Sequence, residues 1–142
     1  MRRALALLLI IALAPGCSAL RIGGVNLCDE FAKRHEQALR YAERLEGVLP
    51  PDALVRYQAF KAGLESSAKT IEAACESGEF KLSVHGPIML DGIANALELV
   101  ELWRKYGPGA RDIGGTRAAD AEAARLYVLA LRVRGEMAKG AR

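Results

Sequence analysis

A chain of 142 residues, 51% hydrophobic and 26% charged, has room for one core and is too apolar for intrinsic disorder. Aromatics are only 6%, so the core should be aliphatic and helical. The formal charge of +3 falls to 18 basic against 17 acidic residues once Arg2 and Arg3 are set aside, which removes any electrostatic case for nucleic acid.

Met1-Arg2-Arg3 is a positive start, and Ala4 to Ala14 is an uncharged apolar run. That run is too short to span a bilayer but suits the apolar region of a secretion signal. Leu13-Ala14-Pro15-Gly16-Cys17 follows. With small residues at Ala14 and Gly16, Leu13 upstream and a terminal Cys, this segment resembles the lipobox of bacterial lipoprotein signal peptides. Leu13 stands four residues before the Cys rather than the usual three, with Pro15 intervening.

The resemblance implies that residues 1–16 are a signal peptide. It also implies that Cys17 becomes a diacylated, palmitate-bearing N-terminus and that the protein faces the periplasm on a lipid anchor. Ser18 replaces the Asp that retains enterobacterial lipoproteins at the inner membrane, so the outer membrane is expected over the inner. Cleavage after Ala19 would give a soluble secreted or periplasmic protein instead, and an uncleaved anchor is the third reading. Residues 17–25, with Gly23-Gly24, then form a tether, and residues 26–142 a single domain.

Asn26 is placed to cap a first helix, with Asp29 and Glu30 in its first turn, where the helix dipole favours negative charge. Phe31, His35, Ala38, Ala42 and Leu45 recur at three- and four-residue spacing and share one face. Gly47 and Pro50-Pro51 end that helix and begin the next. In the second helix Leu54, Tyr57, Leu64, Ala68, Ile71 and Cys75 form the stripe, Phe60 flanks it, and Lys61 interrupts it and must snorkel or sit at its edge. Gly78 ends it.

At about 1.5 Å per residue the two arms are close enough in length to bring Cys28 and Cys75 to the same open end. Cys17 being spent on the signal, these two thiols predict a disulfide in an oxidising compartment. Two free buried thiols are the alternative.

Residues 79–86 read as a linker, with Phe80, Leu82 and Val84 alternating in an extended run. A third helix is predicted from Gly86-Pro87, with Leu90, Ile93, Leu97, Val100 and Trp103 on one stripe and Met89, Ala96, Leu99, Leu102 and Tyr106 widening it. Tyr106-Gly107-Pro108-Gly109 stops it. Ala110 to Gly115 reads as a loop and Thr116 as the cap of a fourth helix running to about Lys139. That helix has two apolar sides, one of Ala121, Ala124, Val128, Leu131 and Ala138, the other of Leu126, Ala130, Val133 and Met137. Such breadth means either a central place in the bundle or a surface held for a partner; Leu99, Leu102, Tyr106, Leu126 and Val133 are the candidate interaction surface.

Residues 28–79 carry 7 basic and 10 acidic groups, and residues 80–142 carry 10 and 7, so the two halves should attract one another weakly. The expected fold is all-α: an up-down four-helix bundle of two hairpins, 26–78 and 87–139, the first closed by Cys28–Cys75.

Chemistry is sparse. His35 on the apolar stripe reads as a core histidine with a polar partner, and His85 as a turn residue; neither belongs to a ligand motif. Glu43/Glu46, Glu72/Glu76 and Glu98/Glu101 lack the His that an ExxH metal site requires and read as helix surface. Ser66 and Lys69 form an SxxK without the companion motifs of that chemistry. The glycines at 107, 109, 114 and 115 precede no P-loop Lys. No catalytic residue, metal or cofactor is assigned. The expected role is a non-enzymatic envelope lipoprotein that binds a protein partner or is structural, the alternative being a carrier of a small apolar ligand or lipid between the hairpins.

Overall fold

The computed structural model describes residues 21–22, 25–108 and 113–140. The leader, Cys17 and the first part of the tether lie outside the described residues. A two-residue antiparallel ribbon, β1 (Arg21–Ile22) with β2 (Val25–Asn26), leads directly into four helices. These are α1 (Leu27–Leu45), α2 (Pro51–Glu76), α3 (Leu82–Tyr106) and α4 (Ile113–Gly140). They pack as a bundle, and no described helix is long and apolar enough to cross a membrane.

The ends of the first hairpin follow local chemistry. Asn26 Oδ1 accepts from the Cys28 and Asp29 amides at 3.0 and 3.4 Å, capping α1. The chain reverses at Gly47, whose φ of 86° lies in the left-handed region, and Pro51 opens α2 at its first position. Past α2, the Gly78 amide donates to the Cys75 carbonyl at 3.3 Å and the Glu79 amide to the Ala74 carbonyl at 3.0 Å. That pair of bonds is a Schellman closure, with Gly78 at φ 72° supplying the left-handed residue.

α1 buries Phe31, Ala38, Tyr41, Ala42 and Leu45, and α2 buries Ala53, Tyr57, Leu64, Ala68 and Ile71. One expected position is corrected: Leu54 is exposed, and Ala53 faces inward in its place. At the position where Lys61 breaks the stripe, its ammonium reaches Glu46 Oε1 at 2.9 Å and lies over the Tyr57 ring, 5.9 Å from its centroid. Tyr57 donates to the same carboxylate oxygen at 3.0 Å. This small network ties the two arms beside the turn.

α3 lies along α1, α2 and α4, with α2 and α4 on opposite sides of it. At Gly92 it approaches both arms of the first hairpin, and a Cβ there would stand 2.9 Å from Phe31 Cζ on α1 and 3.0 Å from Ser67 Cβ on α2. The hairpins are therefore not docked as two flat faces; α3 sits in the groove of the first hairpin, and α4 covers its far side. Its broad apolar circumference is consumed by three neighbours, with Met89, Ile93, Ala96, Leu99, Val100, Leu102 and Trp103 all buried.

Two boundaries differ from expectation. α3 begins at Leu82, within the predicted 79–86 linker, and Pro87 lies inside it. His85 explains the early start: its Nδ1 accepts from the Lys81 amide at 2.8 Å, while its own amide donates to the Lys81 carbonyl at 2.7 Å. Pro87, inside the second turn of α3, has no amide to give the Ser83 carbonyl, so the helix forfeits one internal bond there. α4 likewise begins at Ile113, three residues before the expected Thr116 cap.

Candidate functional surface

The cysteines meet as predicted. Cys28 and Cys75 are bridged, with S–S 2.10 Å and Cα atoms 6.1 Å apart, closing the open end of the first hairpin. Cys17 falls outside the described residues.

The candidate interaction surface is corrected. Leu99, Leu102, Leu126 and Val133 are buried in the core, and Tyr106 is half-buried against it. The first two are covered because α3 is enclosed on three sides. Leu126 and Val133 are covered because α4 turns its Leu126–Leu129–Ala130–Val133 side inward. The other apolar side of α4 is left in solvent: Tyr127, Val128 and Leu131 are 60, 46 and 66% exposed, with Ala121, Ala124 and Ala138 also outside. Both sides carry aliphatic residues at helical spacing, so periodicity alone could not choose between them.

The inward side of α4 also carries a carboxylate. Glu122 is 1% exposed, and its Oε2 accepts from Arg34 Nη1 of α1 at 2.5 Å and from Arg125 Nη1 at 3.4 Å. Oε1 of Glu122 and Nε of Arg34 have no hydrogen-bond partner among the described residues, although Nε lies 3.3 Å from Glu30 Oε1. Burial pushes the Glu122 carboxyl above its ordinary pKa, the positive charges of Arg34 and Arg125 pulling it back in part. A lone acid among Ala121, Ala123, Ala124 and Leu126 was the sequence signal for this buried charge. The pair also inverts the charge expectation: the base comes from the acidic half and the acid from the basic half.

Beside this pair, between α1 and α4, runs an open groove of about 370 Å³ lined by Glu30, Arg34, Ala124, Arg125, Val128, Leu129 and Arg132. Three guanidiniums and one carboxylate thus sit against the exposed apolar strip. Elsewhere on the outside of α4, Asp120 is engaged by Arg104 at 3.3 Å and Glu136 by Lys139 at 2.6 Å.

His35 does not take the expected polar partner. Its half-buried ring lies flat on Phe31, with centroids 6.4 Å apart and an 8° interplanar angle, and it has no hydrogen bond among the described residues. Burial lowers its pKa, and the carboxylates of Glu72, Glu65 and Glu36 oppose that shift. Glu43, Glu46, Glu72, Glu76, Glu98 and Glu101 are all exposed, as are Ser66 and Lys69. No cluster of three or more potential metal ligands occurs among the described residues. Compared with protein-family models, curated proteins and solved structures, the chain has no match.

Proposed function

We propose that this protein is a small exported lipoprotein of the bacterial cell envelope, anchored through Cys17 and acting by contact rather than by chemistry. The observation that carries the reading is the Cys28–Cys75 bridge. Such bonds persist in oxidising compartments and are rare in the cytosol, and a bridge at the end nearest the tether agrees with a leader that exports the chain. The contact face is the outward side of α4, with Tyr127, Val128 and Leu131 in solvent. It replaces the buried leucines as the surface open to a partner. Between the hairpins the space is occupied by Leu64, Ile71, Met89 and Ile93, all buried, which favours a contact protein over a carrier.

Metabolic labelling with an alkynyl palmitate tests the anchor. The wild-type chain should take up label and the Cys17→Ala chain should not. An unlabelled wild-type protein whose mature N-terminus is Leu20 would instead place it among soluble secreted proteins.

A further inference from the structure

We propose that the outward face of α4 is a membrane-contact surface that rests on an anionic phospholipid bilayer. The proposal deepens the contact-protein reading and rests on it, because it names what that face touches. Ala124, Val128, Leu131 and Gly135 follow one another at four-, three- and four-residue steps along the outside of the helix. They make an apolar ridge about 17 Å long. Arg125 and Arg132, seven residues apart, border it on one side; Tyr127 and Arg134, also seven apart, border it on the other. All of these residues are exposed.

The charge of the rim decides between a bilayer and a second protein surface. The acids that share α4 are already engaged: Glu122 is turned inward onto Arg34, Asp120 is held by Arg104 and Glu136 by Lys139. Arg132 and Arg134 make no ion pair among the described residues. The ridge therefore presents aliphatic side chains and a phenol flanked by two uncompensated guanidiniums, Arg132 and Arg134, while Arg125 keeps its ion pair with Glu122. Helices that lie in the headgroup plane have this composition, the apolar strip entering the acyl boundary and the Arg heads staying with phosphate. The groove beside it is lined by Arg34, Arg125 and Arg132 with the single carboxylate of Glu30; Arg34 and Arg125 are paired with acids, which leaves Arg132 to meet a phosphate group of the same lipid surface.

The chain path agrees. Gly86, near the start of α3, lies against Met137, near the end of α4: a Cβ there would stand 2.8 Å from the sulfur. The bridge holds the start of α1 beside the end of α2, which leads into α3 within a few residues. The tether thus enters at the end of the bundle where α4 finishes. Residues 18–25 extend at most about 28 Å, so an anchor at Cys17 keeps the Arg132–Arg134 end of the ridge within reach of the bilayer.

The test uses the full chain purified from bacterial membranes, carrying Tyr127→Trp, in vesicles of phosphatidylcholine alone or with one-third phosphatidylglycerol, the acyl chains brominated. Trp103 is buried, so the wild-type chain reports the background. With phosphatidylglycerol present, the introduced Trp should be quenched at least threefold more than in the uncharged vesicles. Arg132→Gln/Arg134→Gln should bring it down to the uncharged value, the loss of two cations weakening the contact by roughly thirtyfold. Quenching equal to background on both vesicle types would overturn the proposal. So would protection of the introduced Trp accompanied by a dimer mass in sedimentation, which would assign the ridge to a second copy. Flotation of the wild-type chain on uncharged vesicles reports the N-terminal anchor by itself, so anchor and α4 contact can fail separately.

Discussion

The ion pair between Arg34 and Glu122 puts a charge on the buried side of α4, among Ala119, Leu126 and Leu129. Glu122 is taken almost wholly out of water, and only one of its oxygens is hydrogen-bonded. Removing one member of such a pair strands the other. Glu122→Ala should therefore destabilise by about 3 kcal/mol in chemical denaturation, whereas Arg34→Met/Glu122→Leu, which removes both charges, should be neutral or stabilising. Titration gives a second handle. The folded-state pKa of Glu122 lies above its unfolded value, so the native state holds more protons between the two. The stability this group contributes is fully present below about pH 4.5, its ordinary value, and is lost as pH rises through the folded pKa. Glu122→Gln keeps the volume and an oxygen for Arg34 but cannot titrate, so it should abolish that decline. His35 acts with the opposite sign. Its folded pKa is lowered, so its contribution is present above its ordinary pKa of 6.5 and is lost as pH falls through the folded value. Denaturation midpoints of His35→Gln should accordingly lose the wild-type fall on acidification just below pH 6.5.

Among the elements, α3 carries the heaviest packing demand, and Gly92 is where that demand is concentrated. A methyl group there would fall inside van der Waals contact with both Phe31, at 2.9 Å, and Ser67, at 3.0 Å, so a neighbour must shift. Overpacking of a well-filled core costs roughly 1–3 kcal/mol, against a gain of about 1 kcal/mol in helix propensity. Gly92→Ala should therefore be destabilising by about 1 kcal/mol. Gly135→Ala, on the open face of α4 with nothing within 4 Å, should gain about 0.5–1 kcal/mol. Thermal melts of the two variants side by side check the difference. The four helices and the disulfide were legible because their signals are local: the caps at Asn26 and Gly78, the punctuation at Gly47 and Pro50-Pro51, and arm lengths that bring two cysteines level. The start of α3 was not, because Phe80, Leu82 and Val84 alternate as a strand would, and the imidazole of His85 that secures the first turn carries no sequence signature. The interaction face was misplaced for a related reason. α4 has two apolar sides, and the choice between them is made by contacts distant in sequence: packing on α1 and α3, and an ion pair to Arg34, which is 88 residues from Glu122 in the chain.

At the scale of the molecule, the first hairpin is held open rather than closed on itself. α3 lies between its arms along much of their length, so direct contact between α1 and α2 is limited, and the Cys28–Cys75 bridge with the Glu46–Lys61–Tyr57 network clamps the two ends. Without the bridge, the arms at the open end lose their covalent link, and the unfolded chain regains the freedom of a long loop. For a sequence separation of 47 residues, the chain-entropy model gives a loss of about 4 kcal/mol. For a domain of this size that corresponds to a fall in Tm of roughly 15 °C. Cys28→Ser/Cys75→Ser and the reduced wild-type chain should melt together at the lower temperature, followed by circular dichroism with and without reductant. A double variant melting within about 2 °C of the oxidised protein would mean that α3 alone holds the arms. In that case the bridge would be a by-product of the compartment rather than a support of the fold.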